Sequence, residues 1–262
     1  MKRLKFIGAI VAAVMLFALW SFTSSGISNK YDYFTTDNLG NVYLVHNEEL
    51  LKYLPNGKLF ARYSNLRLGD ITSVDATNPL KIVLYYRNFQ QVVFLDNQLS
   101  QNSEAVALET LGLEQADLVC AGTNNSFWVY NKQNNELLRF DENSKKIAST
   151  GNLKQLLGDE LAPVYMLEQN NYLYLNSPRQ GIYVFDVFGN YNKLIALKDI
   201  SKFQVFDNRL YFQRDSSFCN YDHKLFEENC QSFSAAQTAR GMRVSANKVF
   251  FGFKDSVQVQ LN

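Results

Sequence analysis

The chain has 262 residues, of which 47% are hydrophobic and 14% aromatic, enough apolar surface for one large domain or two small ones. The formal net charge of +1 becomes −2 once Lys2, Arg3 and Lys5 are set aside with the N-terminal segment. The rest of the chain therefore has no bulk attraction for nucleic acid, and we expect no nucleic-acid partner.

The first 26 residues differ in character from the remainder. A basic head precedes an apolar stretch from Phe6 to Phe22, and a small polar segment, Thr23 to Gly26, follows it. The 17 apolar residues would span about 25 Å as a helix, short of the ~30 Å hydrocarbon core, which favours a cleaved signal peptide. An uncleaved membrane anchor is the alternative, because no Ala-x-Ala site occurs. Both interpretations place residues 27–262 outside the cytoplasm, in the periplasm or cell envelope. The chain contacts the membrane only through this N-terminal segment, and only if it is uncleaved.

Residues 31–64 form the clearest copy of a repeated unit. Four short runs rich in β-branched and aromatic residues are divided by turn signals at Asp37–Gly40, His46-Asn47 and Pro55–Lys58. Such a pattern predicts a four-stranded antiparallel meander.

The turn that precedes the second strand of this unit returns along the chain. A polar turn followed by an apolar run marks six positions, separated by 40, 45, 46, 37 and 39 residues. These positions are Val42, Ile82, Phe127, Leu173, Leu210 and Val249. A period near forty with four strands per copy predicts an all-β fold, a six-bladed β-propeller of four-stranded antiparallel blades. A β-sandwich is the alternative, but it does not explain the sixfold return.

Two further features support the repeat. An aspartate follows the apolar end of the third strand in four copies, where its carboxylate can accept backbone amides and start a turn. These aspartates are Asp96, Asp141, Asp186 and Asp222. The last copy, from Met242, has three evident strands, so Ile27 to Lys30 is expected to supply the fourth and close the ring. Short helical turns are expected within residues 103–113 and 153–161.

Residues 31–262 resemble extracytoplasmic six-bladed propellers of the NHL or TolB-like type, including uncharacterised single-domain propellers of bacterial envelopes. The resemblance rests on the run from Asp37 to Tyr43, DNLGNVY, and its weaker echoes. It implies the fold and scarcely constrains activity.

A cationic or titratable side chain lies at or just beyond the end of each second strand. The six residues are His46, Arg87, Lys132, Arg179, Arg214 and Lys254. On a closed ring they would surround the channel mouth and focus positive potential for a carboxylate, a phosphate or an acidic glycan or peptide. The alternative is ordinary edge-protecting charge that neighbouring acids cancel. Those acids are Glu48, Glu49, Glu136, Asp215 and Asp255.

Phe89 follows Arg87 in one of these loops, and the pairing of an aromatic residue with arginine is typical of interface centres. Phe89 could equally be tucked between blades. Cys219 and Cys230 lie on two strands of a predicted hairpin and can form a disulfide, although two separate thiols are also consistent with the sequence. Cys120 is expected to be a small core residue.

Catalytic motifs are missing from the sequence. The two histidines, His46 and His223, fall in distant blades and on opposite faces of the expected ring, and no P-loop, GxSxG or HExxH motif occurs. We therefore predict a monomeric, non-catalytic binding or scaffolding module without a cofactor, whose loop-rich face recognises an envelope protein or an anionic ligand. The alternative is a calcium-dependent hydrolase or lactonase, with channel ligands drawn from residues such as Asp70, Asp117 and Asn176.

Overall fold

The computed structural model describes residues 26–232, 238–246 and 248–261, with the side chain of Leu261 left aside. Within these residues the chain forms six separate four-stranded antiparallel sheets, numbered here as blades 1 to 6. The predicted all-β six-bladed propeller is confirmed, and the sandwich alternative is wrong.

The strands follow one another in chain order. Blade 1 consists of β2 (Tyr33–Thr36), β3 (Val42–His46), β4 (Glu49–Tyr53) and β5 (Leu59–Ser64). Blade 2 consists of β6 (Ser73–Asp75), β7 (Ile82–Tyr86), β8 (Gln91–Leu95) and β9 (Val106–Ala107). Blade 3 consists of β10 (Ala116–Ala121), β11 (Phe127–Asn131), β12 (Glu136–Phe140) and β13 (Lys146–Asn152). Blade 4 consists of β14 (Tyr165–Gln169), β15 (Tyr172–Ser177), β16 (Gly181–Asp186) and β17 (Tyr191–Ile195). Blade 5 consists of β18 (Phe203–Phe206), β19 (Arg209–Arg214), β20 (Ser217–Asp222) and β21 (Glu227–Ser232). Blade 6 consists of β22 (Gly241–Ser245), β23 (Lys248–Gly252), β24 (Ser256–Leu261) and the N-terminal β1 (Gly26–Ser28).

The ring is closed by the N-terminal strand, as the sequence predicted. β1 pairs antiparallel with β24, so that Ile27 lies opposite Val257, and both side chains are buried. The chain then crosses to blade 1, where the Tyr31 hydroxyl donates to the Phe253 and Ser256 carbonyls. Because the first and last segments share one sheet, the ring has no unpaired seam.

The first strand of each blade is innermost and the fourth is outermost. β2 contacts β22, and β10 contacts both β6 and β14, as neighbouring blades of a closed ring require. The upper face carries the loops between second and third strands and the blade-to-blade connections. The lower face carries the turns between first and second strands and between third and fourth strands.

Across residues 26–232, 238–246 and 248–261, short helical segments occur only on the upper face. They are the 3-10 turns Arg87–Phe89 and Leu108–Leu111 and the helix α1 (Leu153–Leu157). The last two lie within the ranges where helical turns were predicted. No helix among the described residues is long and apolar enough to cross a membrane.

The aspartate turns form as predicted from their chemistry. The Asp96 carboxylate accepts the backbone N–H groups of Gln98 and Ser100 at 2.8 and 2.9 Å. Asp186 accepts those of Phe188 and Asn190 at the same distances. These bonds replace the strand pairing that ends at each turn.

A buried polar cluster joins blades 3 and 4. The Glu168 carboxylate accepts the Thr123 backbone N–H at 2.7 Å and the Trp128 indole N–H at 2.6 Å. The Arg139 guanidinium lies 3.8 Å from it and donates to Ser126 Oγ and to oxygens of Thr123 and Val187. Trp128 is therefore a core residue, as predicted, and its single donor is satisfied.

Candidate functional site

A narrow cavity of about 190 Å³ runs along the axis of the ring. Its wall is built from the first strands of the blades, whose side chains alternate between the cavity and the blade interior. Thr72, Asp117, Val164 and Lys202 line its upper end, while Asn38 and other turn residues line its lower end. Side chains from all six blades therefore meet there, although they are far apart in sequence.

The wall of the cavity holds opposite charges. The Asp75 carboxylate accepts the backbone N–H groups of Thr77 and Ala121 at 2.9 and 3.0 Å, which ties blade 2 to blade 3. Burial raises the pKa of Asp75, and these hydrogen bonds together with the Arg243 charge oppose the rise. Burial likewise raises the pKa of Tyr165, again against the charge of Arg243. Arg243 is thus the cation that faces both groups.

Two cations of this wall lie on neighbouring blades, Lys202 near the upper end and Arg243 in the middle of β22. Lys202 and Arg243 line both the central cavity and an adjoining crevice of about 140 Å³ between blades 1, 5 and 6. Neither forms an ion pair within the described part of the chain. Burial lowers the pKa of Lys202, and the charge of Arg243 lowers it further. The Lys202 ammonium lies 4.7 Å above the Tyr33 ring, and Arg243 donates to the Phe203 carbonyl at 3.2 Å.

This pair has the electrostatics of an anion site. Like charges held close together disfavour each other, and an incoming anion would relieve that repulsion. Arg240 lines the same crevice, and Asp32 is the one acid beside these three cations in its wall. The structure therefore concentrates positive charge between blades 5, 6 and 1.

The six cations predicted from the sequence lie on the upper face, each at or just after the end of a second strand. Arg87 is the one member of this set that lines the central cavity described above. The others stand farther out, because a second strand lies ~4.8 Å outside the first. They form a wider ring than a channel mouth would require.

Several of these side chains already lie beside an acid. His46 lies 3.3 Å from Asp32, Lys132 lies 3.2 Å from Asp117, and Arg214 pairs with Glu228. Arg87 donates to the Asp117 carbonyl at 2.7 Å. Arg179 and Lys254 are exposed and have no ion pair within the described residues.

The pairing acids are not the sequence neighbours that were expected to cancel the charges. Glu49, one of those neighbours, pairs instead with Arg62. Glu136 accepts hydrogen bonds from Asn131, Asn134 and Ser149. The field on the upper face is therefore set by contacts across loops and blades rather than by adjacent residues.

Phe89 lies on the upper face with half of its side chain exposed. Its ring lies 3.6 Å from the position that a Cβ would take at Gly69, in the connection from blade 1 to blade 2. The Phe89 ring therefore packs partly against the loop at Gly69 and is partly accessible to a partner.

The structure joins Cys219 and Cys230 in a disulfide between directly opposed residues of β20 and β21. Cys120 is a buried core thiol, as predicted, and burial raises its pKa. The one cluster of at least three possible metal ligands found in the described residues combines these bonded cysteines with Glu228. A disulfide sulfur is not a thiolate, so this cluster does not fit a metal ion.

The residues considered for a channel metal site do not converge. Asp117 lines the cavity, but Asp70 is an exposed loop residue outside its wall. Asn176 is fully buried, and its amide donates to the Ile200 carbonyl at 2.6 Å. Neither His46 nor His223 belongs to the cavity wall.

Sequence reasoning missed Lys202 and Arg243. Their position in the repeat was the available signal. Lys202 immediately precedes the first strand of blade 5, and Arg243 lies within the first strand of blade 6. First strands face the axis in a propeller, whereas the prediction from the sequence used the ends of second strands. Position on the innermost strand would have identified both residues.

Fold and site together define a six-bladed β-propeller with a polar axial cavity. No protein-family model matches the chain, and no curated protein matches it.

Solved structures of several kinds share the fold. Virginiamycin B lyase from Staphylococcus aureus is 13% identical with a TM-score of 0.57, over 87% of this chain and 80% of that chain. BBS1N in complex with ARL6DN is 10% identical with a TM-score of 0.55, over 84% and 74%. A chain of the mitotic checkpoint complex is 8% identical with a TM-score of 0.61, over 100% and 99%. At such identities the likeness shows the fold and no more.

Proposed function

We propose that this protein is a non-catalytic binding module of the bacterial cell envelope, whose upper face recognises a protein partner carrying an acidic group. The acidic group binds at Lys202 and Arg243, where the cavity and the adjoining crevice share a wall. The single observation that carries the proposal is this pair of close cations, neither of which has a carboxylate within ion-pair distance in the described chain.

The surroundings of the pair suit a protein rather than a small anion. Exposed apolar side chains, Phe89, Val164 and Leu66, lie on the same face. An aromatic and arginine centre flanked by polar groups is typical of protein interfaces. The neighbours offer a precedent, because BBS1N is in complex with ARL6DN through the same kind of fold.

The envelope part of the proposal depends on the N-terminal segment and the disulfide. An apolar stretch behind a basic head is typical of export. A bond between Cys219 and Cys230 is stable in oxidising compartments and rare in the cytosol.

The test uses a charge reversal with a matched control. Lys202→Glu changes the proposed site, and Lys58→Glu makes the same change at an exposed turn of the lower face. Binding of a fluorescent oligoglutamate peptide, with oligoglutamine of equal length as the neutral probe, is followed by anisotropy. We expect Lys202→Glu to weaken oligoglutamate binding about tenfold or more, the equivalent of ~1.4 kcal/mol, and Lys58→Glu to leave it unchanged.

A parallel experiment addresses the partner. Proteins captured from envelope extracts by the native chain and by both variants are compared quantitatively. Proteins lost with Lys202→Glu and retained with Lys58→Glu are the expected partners. Equal peptide affinity in all three chains, together with identical captured sets, would overturn the proposal.

A further inference from the structure

The two faces of the ring differ in their exposed apolar side chains. Fifteen large hydrophobic residues are exposed in the described part of the chain, and ten of them lie in lower-face turns or in the first two residues of strands that leave these turns. The ten are Leu39, Leu59, Phe60, Leu80, Ile147, Tyr172, Phe188, Tyr191, Leu225 and Phe226. Four of the others, Leu66, Phe89, Leu156 and Val164, lie on the upper face.

Five of the six most exposed of these side chains lie at the tips of lower turns, the sixth being Leu66 of the upper face. Leu39, Leu80, Phe188, Leu225 and Phe226 are between 63% and 73% exposed. They come from blades 1, 2, 4 and 5, so they are spread around the ring rather than gathered at one edge. Apolar side chains scattered singly are normal on a soluble protein, so the feature to be explained is that these five share one face.

The same type of side-chain-to-backbone hydrogen bond fixes several of these turns. The backbone N–H of Leu39 donates to the Asp37 carboxylate at 3.0 Å. Leu80 donates to the Asn78 side chain at 3.0 Å, and Phe188 to Asp186 at 2.8 Å. Each apolar residue stands two positions after the residue that fixes the turn. Equivalent positions elsewhere in the ring are polar, as at Gln98 and Asn143.

The direction of β1 shows toward which face of the ring its first residue lies. β1 runs from the lower toward the upper face, because Gly26 pairs with Gln258 and Ser28 with Ser256 at the upper start of β24. Gly26, the first described residue, is therefore at the lower-face end of β1, and residues 1–25 precede it in sequence. They include the apolar stretch Phe6–Phe22.

We propose that the lower face lies against a lipid bilayer, with its apolar turn tips inserted at the level of the headgroups. The bilayer is the favoured occupant because the apolar tips lie on the face at which β1 starts, and β1 follows the apolar stretch Phe6–Phe22 in sequence. The arrangement requires this stretch to be an uncleaved anchor. Leu and Phe side chains at the tips suit the acyl boundary, and lysines such as Lys145 and Lys224 in lower-face turns can extend toward headgroups. The upper face then points away from the membrane.

The experiment uses the full chain reconstituted into phosphatidylcholine vesicles containing phosphatidylglycerol. Leu39→Trp and Phe188→Trp place a reporter on blades 1 and 4, at opposite sides of the ring. Leu66→Trp, at a position 80% exposed on the upper face, is the matched control. Signals from Trp20 and Trp128 are removed by subtracting the spectrum of the native chain.

We expect both lower-face reporters to shift their emission to the blue on reconstitution and to be quenched by lipids brominated in the acyl chain. The control is expected to be quenched by aqueous iodide and not by these lipids. Iodide quenching of all three reporters would overturn the proposal and leave the face open to a protein partner. A blue shift that needs no lipid and disappears on dilution would also overturn it, because a second copy of the chain would then cover the tips.

Discussion

Removing the carboxylate of Glu168 tests the interblade cluster most directly. Glu168→Ala leaves the backbone N–H of Thr123 and the indole N–H of Trp128 without their acceptor, in a region where Glu168 itself is 4% exposed. A buried donor left unpaired costs about 1–3 kcal/mol. Two unpaired donors would together lower the free energy of unfolding by about 2–6 kcal/mol.

In Glu168→Ala, the charge of Arg139 adds less to the loss of stability than an isolated buried cation would. Its guanidinium keeps four other acceptors, provided by Ser126, Thr123 and Val187. We therefore expect Glu168→Ala to lower the free energy of unfolding by about 3–5 kcal/mol, the range found when one partner of a buried ion pair is removed. In a domain of this size the melting temperature should fall by roughly 10 °C.

The assay is urea unfolding followed by far-UV circular dichroism, since Trp128 lies within the perturbed cluster. Glu168→Gln keeps one oxygen acceptor and should fall between the native chain and Glu168→Ala. Glu114→Ala, at an exposed loop residue, is the control and should stay within about 0.5 kcal/mol of the native chain. A loss below about 1 kcal/mol for Glu168→Ala would refute the reasoning.

Four other predictions concern the closure, the cysteines and acid stability. Ile27→Ala should lower the unfolding free energy by about 2–5 kcal/mol, because Ile27 is 3% exposed in the closing strand; an unchanged urea midpoint would contradict this. Reduction should destabilise the native chain by about 2–4 kcal/mol but not the double variant Cys219→Ser/Cys230→Ser. Cys120 should resist an alkylating reagent near pH 8 until urea unfolds the ring, because burial raises its pKa; modification of the native state would count against this. Hydrogen bonds from Ser100 and Asn102 lower the pKa of Asp96 in the folded chain. The Asp96 carboxylate therefore stabilises the folded chain above its unfolded-state pKa of 3.8, and this stabilisation is lost as pH falls through the lower folded-state pKa. Asp96→Asn should flatten the urea midpoint against pH in that acidic range, and an unaltered profile would argue otherwise.

The candidate site shows where local reasoning reaches its limit. The cations at the ends of second strands could be found from the repeat, because each follows a turn signal at a fixed place in its blade. Their partners could not be found in this way. Lys132 pairs with Asp117 across a loop and His46 with Asp32, whereas adjacent acids such as Glu49 turn elsewhere. A charged side chain selects its partner by distance in space, and that distance is set by the packing of blades.

The number and order of the blades were determined by the sequence. Residues such as Asp37, Asp96 and Asn170 force turns through bonds to their own neighbours or through left-handed backbone, as at Asn170 with φ 54°. These are local effects, so their period can be counted without coordinates. What only the tertiary structure decided is which polar groups meet: Lys202 with Arg243 at the axis, and Glu168 with Trp128 between blades. Those encounters join residues about forty positions apart, and they exist because neighbouring blades of the ring pack against each other.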